Sequence, residues 1–132
     1  MPVAGFDHVA VPMERVEEML AFYRALGFTI VEGAGGLVYA AHVGPHKINF
    51  HAPALWRQEA FTLRGPAAVP GCGDFCFAWE GTPDDLDSLL AGASARVIEG
   101  PVARDGGRGR GTSTYVRDPD GNLLEFIIYD SS

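Results

Sequence analysis

The sequence predicts an α+β fold of two βαβββ modules, forming a half-open mixed-sheet barrel around a central cup. Three observations carry that prediction. Apolar spacing alternates between the two-residue period of strands and the three-to-four-residue period of helices, in the same order twice along the chain. A faint internal repeat supports a duplication: Ile30-Val31-Glu32-Gly33 matches Val97-Ile98-Glu99-Gly100, an offset of 67 positions from 30 to 97. The chain has 132 residues, 47% of them apolar, which suits one domain with a real core. The modules are placed at about 4–53 and 72–130, with a linker at 54–71.

Each element has a local reason. Phe6 to Val11 is rich in valine with an aromatic, a strand composition, and Pro12 ends it. From Glu14 to Leu26, Val16, Met19, Leu20, Tyr23 and Leu26 recur at helical steps, with charged residues on the other side. Gly27 stands where a helix ends in a left-handed residue. Strands follow at Phe28 to Glu32, Leu37 to Val43 and Lys47 to Ala52, separated by turns at 33–36 and 44–46. Residues 53–71 carry three prolines and two glycines and read as a packed, partly irregular linker. The order then begins again with a strand from Asp74 to Trp79. Thr82-Pro83-Asp84-Asp85 has the cap, proline and acid of a helix start, and that helix runs to about Gly92. Arg96 to Glu99 reads as a strand, Arg104 to Gly111 as a glycine- and arginine-rich loop, and Thr112 to Arg117 as another strand. Asp118-Pro119-Asp120-Gly121 is a turn before the last strand, Asn122 to Tyr129.

Composition excludes several functions. A formal charge of −7 opposes non-specific nucleic-acid binding. No apolar run approaches the length of a membrane span, and the first residues lack a basic stretch followed by an apolar one, so a cytoplasmic location is expected. Cys72 and Cys76 lie four apart, roughly 13 Å along a strand, too far to bridge. They read as reduced core or pocket-wall thiols.

Strand alternation singles out the chemistry. Ile48 and Phe50 claim one face of their strand for the core, which leaves Asn49 and His51 on the concave side. In the last strand Glu125 is a carboxylate inside an apolar run, a costly placement unless it is paired or binds a metal. His8 and Asp74 occupy corresponding positions in the first strands of the two modules. A pseudo-twofold would bring His8, His51, Asp74 and Glu125 together, and imidazole and carboxylate suit a divalent first-row metal. Each also has a plainer reading: a structural histidine, an arginine-paired glutamate, an exposed strand end, a turn aspartate. His42 and His46 read as ordinary strand and turn residues. Tyr39, Trp56, Phe61 and Tyr115 are candidate pocket aromatics, and arginines 104, 108 and 110, Arg110 foremost, could hold an anionic group from a mobile loop.

The opening Phe6-Asp7-His8-Val9-Ala10-Val11 and Phe22-Tyr23-Arg24-Ala25-Leu26-Gly27-Phe28, with the closing run from Arg117 to Phe126, resembles the vicinal-oxygen-chelate group of glyoxalases, bleomycin-resistance proteins and extradiol dioxygenases. Lys47-Ile48-Asn49-Phe50-His51 and the stretch from Glu99 to Gly111 narrow the likeness to the virulence-type, lactoylglutathione-lyase-like glyoxalase domains. The resemblance covers nearly the whole chain. It implies metal ligands from the first and fourth strands of each half, here His8, His51 (or Asn49 on the same face), Asp74 and Glu125. Two of these depart from the family pattern: Asp74 stands where histidine is usual, and His51 where glutamate is usual.

The implied activity is a divalent-metal lyase or isomerase of the glyoxalase type, using Ni, Zn, Mn, Co or Fe. Its small substrate would carry vicinal oxygens, with Glu125 as the proton-transferring group and Asn49, Tyr39, Trp56, Arg110 and Tyr115 around the substrate. Two alternatives stay open: a metal-free drug-binding protein of the bleomycin-resistance type, and an extradiol ring-cleaving dioxygenase. A homodimer with two sites is expected, because open sheet edges and a half-open cup favour closure by a second copy.

Overall fold

Residues 2–130 are described by a computed structural model. Module one contains β1 (His8–Pro12), α1 (Val16–Ala25), β2 (Thr29–Gly33), β3 (Val38–Val43) and β4 (His46–His51). A short helical turn, α2 (Pro53–Trp56), opens the linker. Module two contains β5 (Asp74–Ala78), α3 (Pro83–Gly92), β6 (Glu99–Gly106), β7 (Gly109–Arg117) and β8 (Leu123–Tyr129). The expected βαβββ order therefore appears in both halves.

Each module forms one four-stranded mixed sheet, ordered β1-β4-β3-β2 and β5-β8-β7-β6. In both, the first and fourth strands pair in parallel and the rest run antiparallel. The two sheets remain separate and do not close into a barrel. Ile48 and Phe50 of β4, and Leu124 and Phe126 of β8, face a shared core with Met19 and Tyr23 of α1 and Leu86 and Leu90 of α3. The opposite face of each sheet is turned away from α1 and α3, and it carries His8, Asn49 and His51 in sheet one and Asp74 and Glu125 in sheet two.

The helix starts differ. Thr82 caps α3 through its hydroxyl, which accepts from the Asp85 amide at 3.1 Å, as the sequence predicts. Arg15 gives α1 no side-chain cap. Asp120, from the turn before β8, accepts instead from the amides of Glu14 and Arg15 at 2.8 and 2.9 Å. Its neighbour Asp118 is buried and accepts from the Tyr23 hydroxyl at 2.7 Å and the Asn122 side-chain amide at 2.8 Å. The turn that closes module two thus fastens the helix of module one. Burial raises the Asp118 carboxyl above the usual range, against the lowering effect of those hydrogen bonds.

The largest departure from the sequence reading lies at 96–111. The expected loop from Arg104 to Gly111 is a β-hairpin: β6 and β7 pair without a break from Val102 to the tip, with Arg104 opposite Gly111 and Gly106 opposite Gly109. The expected strand at Arg96 to Glu99 begins only at Glu99. Glycine makes the pairing possible as well as the tip. A Cβ on Gly111 would meet Ile127 Cγ1 at 2.8 Å and the Ile128 carbonyl at 2.7 Å, so only glycine lets β8 side chains lie across this strand. Gly100 has φ of +111° at a one-residue slip in the β6–β7 register between Glu99 and Val102, a β-bulge.

Candidate functional site

The registers decide which side chains share a face. In sheet one, the row pairs are His8 with Lys47, Ala10 with Asn49 and Pro12 with His51. His8, Asn49 and His51 therefore point to the side turned away from α1 and α3, with Ala40 of β3 beside Asn49. In sheet two, Cys76 lies opposite Glu125, which lies opposite Tyr115, and Asp74 points the same way from two residues earlier on β5.

These pairings make an internal comparison. Asp74 lies two residues before the partner of Glu125. His8 lies two residues before the partner of Asn49. The counterpart of Glu125 is thus Asn49. His51, preferred over it in the sequence reading, stands two positions further on, and His8 is four residues from the His51 partner, about 13 Å along the strand. Asn49 also carries a buried Oδ1 with no hydrogen-bond partner among the described residues. A buried amide oxygen left unpaired costs roughly 1–3 kcal/mol, a cost that a ligand at the site would relieve.

Glu125 is half-buried, and its Oε2 accepts from the hydroxyl of fully buried Ser113 at 2.6 Å. Ser113 sits on β7 diagonally from Glu125, and nothing in the sequence reading marked it. Cys76, one strand over, is exposed rather than in the core, and partial desolvation with the Glu125 charge pushes its thiol up to about 11. It is a neutral thiol beside the carboxylate. His8 is exposed and its Nδ1 lies 2.6 Å from Asp7 Oδ1, a contact that lowers the Asp7 carboxyl. His51 is half-buried, with the Phe61 ring edge-on at 5.3 Å. Its imidazole is lowered by burial first and by the charge of Arg64 second.

The linker makes the wall on that side. The Trp56 indole donates to the Met13 carbonyl at 2.9 Å and lies under the guanidinium groups of Arg57 and Arg64, 5.1 and 5.7 Å from the ring centre. Trp56 is held as a clamp between linker and β1. Two expected substrate residues fall on the other face. Tyr39 stands in register with Phe50 and packs, half-buried, against the core. Arg110 stands one residue off the Ser113–Tyr115 face and pairs with Asp105 at 3.4 Å. Arg104 takes the place expected of Arg110: its Nε donates to the Tyr115 hydroxyl at 3.0 Å, on the Glu125 face. The bulge after Glu99 is what turns Arg104 to this side.

His8 and Asp74 border one groove of about 360 Å³ between the free edges of β1 and β5, together with Lys47 and Cys76. Among the described residues, no group of three or more His, Cys, Asp or Glu side chains is gathered closely enough to hold a metal ion. One chain brings the expected ligands to two faces and not to one centre.

The model of the glyoxalase/bleomycin resistance protein/dioxygenase superfamily matches residues 5–126. The chain belongs to that superfamily. It is 32% identical to the glyoxalase domain-containing protein RDO1 of Mycosarcoma maydis, over 100% of this chain and 72% of that protein. It is equally 32% identical to the virulence protein STM3117 of Salmonella typhimurium, over 98% of this chain and 87% of that protein. The crystal structure of STM3117 superposes with a TM-score of 0.85 at 33% identity, covering 98% of this chain and 100% of that one. A lactoylglutathione lyase from Agrobacterium tumefaciens, 22% identical, shares the fold at a TM-score of 0.72, over 97% of this chain and 96% of that chain. No helix among the described residues is long and apolar enough to cross a membrane.

Proposed function

We propose that this member of the superfamily is a divalent-metal lyase or isomerase acting on a small substrate with vicinal oxygens. The observation that carries the reading is Glu125: a half-buried carboxylate on the face turned away from α1 and α3, fixed by Ser113 through Oε2 and paired with no cation among the described residues. The donor chemistry fits a divalent ion, since imidazole and carboxylate oxygens suit first-row metals and Asn49 offers an unpartnered buried oxygen. His8, Asn49 or His51, Asp74 and Glu125 would hold it. Their division between two sheets supports a homodimer, in which a second copy brings the complementary face. When bound, the metal supplies Lewis-acid stabilisation of a substrate oxyanion.

The chain's own groups do the rest. Ser113 holds Oε2 of Glu125, which leaves Oε1 to take a proton from the carbon next to a substrate carbonyl and return it to the neighbouring carbon. Tyr115, in register with Glu125, lines the same surface.

Metal content by mass spectrometry on untagged protein, beside His8→Ala and Glu125→Ala, tests this reading. Near-stoichiometric metal in the wild type, lost in both variants, with turnover of α-oxoaldehyde hemithioacetals, is the expected result. Protein that stays metal-free after reloading with several divalent ions sinks it and leaves the metal-free binding protein as the reading to pursue.

A further inference from the structure

The Glu125 face of sheet two is bipolar. Across the strand order β5-β8-β7-β6 it presents Asp74 and Glu125 on the first two strands and, on the last, Glu99 at one end and the Arg104 guanidinium at the other. We infer that Arg104, oriented by Tyr115, is the docking point for a carboxylate carried by the substrate.

The guanidinium is held but not neutralised. Its Nε donates to the Tyr115 hydroxyl at 3.0 Å, its Nη1 donates to the Ala103 carbonyl at 2.9 Å, and its carbon lies 5.6 Å from the centre of the Tyr115 ring. Those contacts fix the plane and use one edge of the group. The hydrogens of Nη2, and the second on Nη1, have no partner among the described residues. One hydrogen from each nitrogen makes up the end-on pair that a planar carboxylate engages with two parallel hydrogen bonds.

Three other arginines are matched by carboxylates, while Arg64 and Arg117 donate only to backbone carbonyls. Arg15 pairs with Glu18 at 2.7 Å, Arg57 with Glu14 at 2.5 Å and Arg110 with Asp105 at 3.4 Å. No carboxylate lies within ion-pair reach of Arg104 among the described residues, although Glu99 and Glu125 share its face. A guanidinium pre-oriented by a tyrosine, with its bidentate edge open on the face of a candidate proton-transfer group, fits an anionic substrate better than a neutral one. The substrate class is then one that carries a carboxylate in addition to its vicinal oxygens. Its oxygenated carbons would lie toward Glu125 and its carboxylate toward β6.

This inference rests on reading the Glu125 face as the substrate face, but its test needs neither metal nor turnover. Metal-free full-length protein is titrated with glycolate, with glycolamide as the neutral control and inorganic phosphate as the tetrahedral one. The Nε–Hε resonance of Arg104 is followed by NMR. Glycolate is expected to shift that resonance saturably and glycolamide is not. Arg104→Gln should weaken glycolate binding by roughly tenfold or more, as loss of a charge-assisted bidentate contact does. Tyr115→Phe should weaken it less, and Arg110→Gln, on the other face, should leave it unchanged. Equal binding of glycolate to the wild type and Arg104→Gln, equal binding of glycolamide, or no saturation by glycolate overturns the inference. Tighter binding of phosphate than of glycolate overturns the carboxylate assignment. Should the wild type hold metal while Arg104→Gln leaves glycolate binding intact, the inference falls alone. Should Arg104-dependent glycolate binding persist in protein that never takes metal, the metal-dependent reading falls and the anion site stands.

Discussion

The two modules use one scaffold for opposite chemistry. Each sets its first strand parallel to its fourth, and each places a donor two residues ahead of the partner of a second donor. Module one fills these places with His8 and Asn49, module two with Asp74 and Glu125. The first pair is neutral when the imidazole is unprotonated, and the second carries two carboxylates. Backbone pairing gives the two modules one geometry while their side chains differ. Two acids on one face repel, and an imidazole with an amide oxygen on the other offers donors without negative charge. The halves are complementary, which is the physical argument for joining them around one ion.

The largest test of that comparison exchanges the counterparts. Glu125→Asn should lower kcat/KM by about 10²–10⁴, the usual contribution of a positioned proton-transfer group. Asn49→Glu should leave turnover far less affected and raise metal retention, because a carboxylate replaces an amide at the equivalent position. Equal losses in the two variants would break the assignment of proton transfer to module two.

A second test addresses how the modules are fastened. Asp118→Ala leaves the Tyr23 hydroxyl and the Asn122 amide buried without an acceptor, and it should cost about 1–3 kcal/mol in denaturant unfolding. Asp120→Ala removes the cap of α1 and should cost about 1 kcal/mol. The Asp118 effect has a pH signature. Its carboxyl is raised above the ordinary value of 3.8 in the folded chain. The folded state therefore binds the proton more tightly than the unfolded one, and this favours folding at low pH. That contribution fades as pH rises from near 3.8 through the raised value. The stability of the wild type relative to Asp118→Asn should fall over that window. A difference that is flat in pH would mean that burial of the carboxyl carries no net penalty.

The smallest effect concerns the extra histidine of module one. His51 has no ionisable counterpart in module two, where Ile127 holds the matching place two residues after Glu125. Its imidazole is lowered by burial and by Arg64. Phe61→Ala, by opening the ring to water, should raise its NMR titration midpoint toward the ordinary value of 6.5. An unchanged midpoint would mean that the linker does not wall off this end of the face.

The sequence by itself determined the βαβββ order, the core faces and the outward placement of Glu125. These follow from periodicities of two and about 3.6 within short segments: Ile48 and Phe50 must turn inward together, and Glu125 must oppose Leu124 and Phe126. The cap on α3 was legible for the same reason, since Thr82, Pro83 and Asp85 are neighbours in the chain. The hairpin of β6 and β7 was partly legible. Alternation back from Tyr115 and Ser113 reaches Gly111 and passes over Arg110, but the glycine-rich composition masked it as a loop. Tertiary structure alone decided the rest. Whether Asn49 or His51 answers Glu125 depends on how β1 slides against β4, and whether Arg104 shares that face depends on one extra residue after Glu99. Asp120 caps a helix more than 100 residues away. Such choices are fixed by the register of distant segments, which no local pattern encodes and which a one-residue slip reverses.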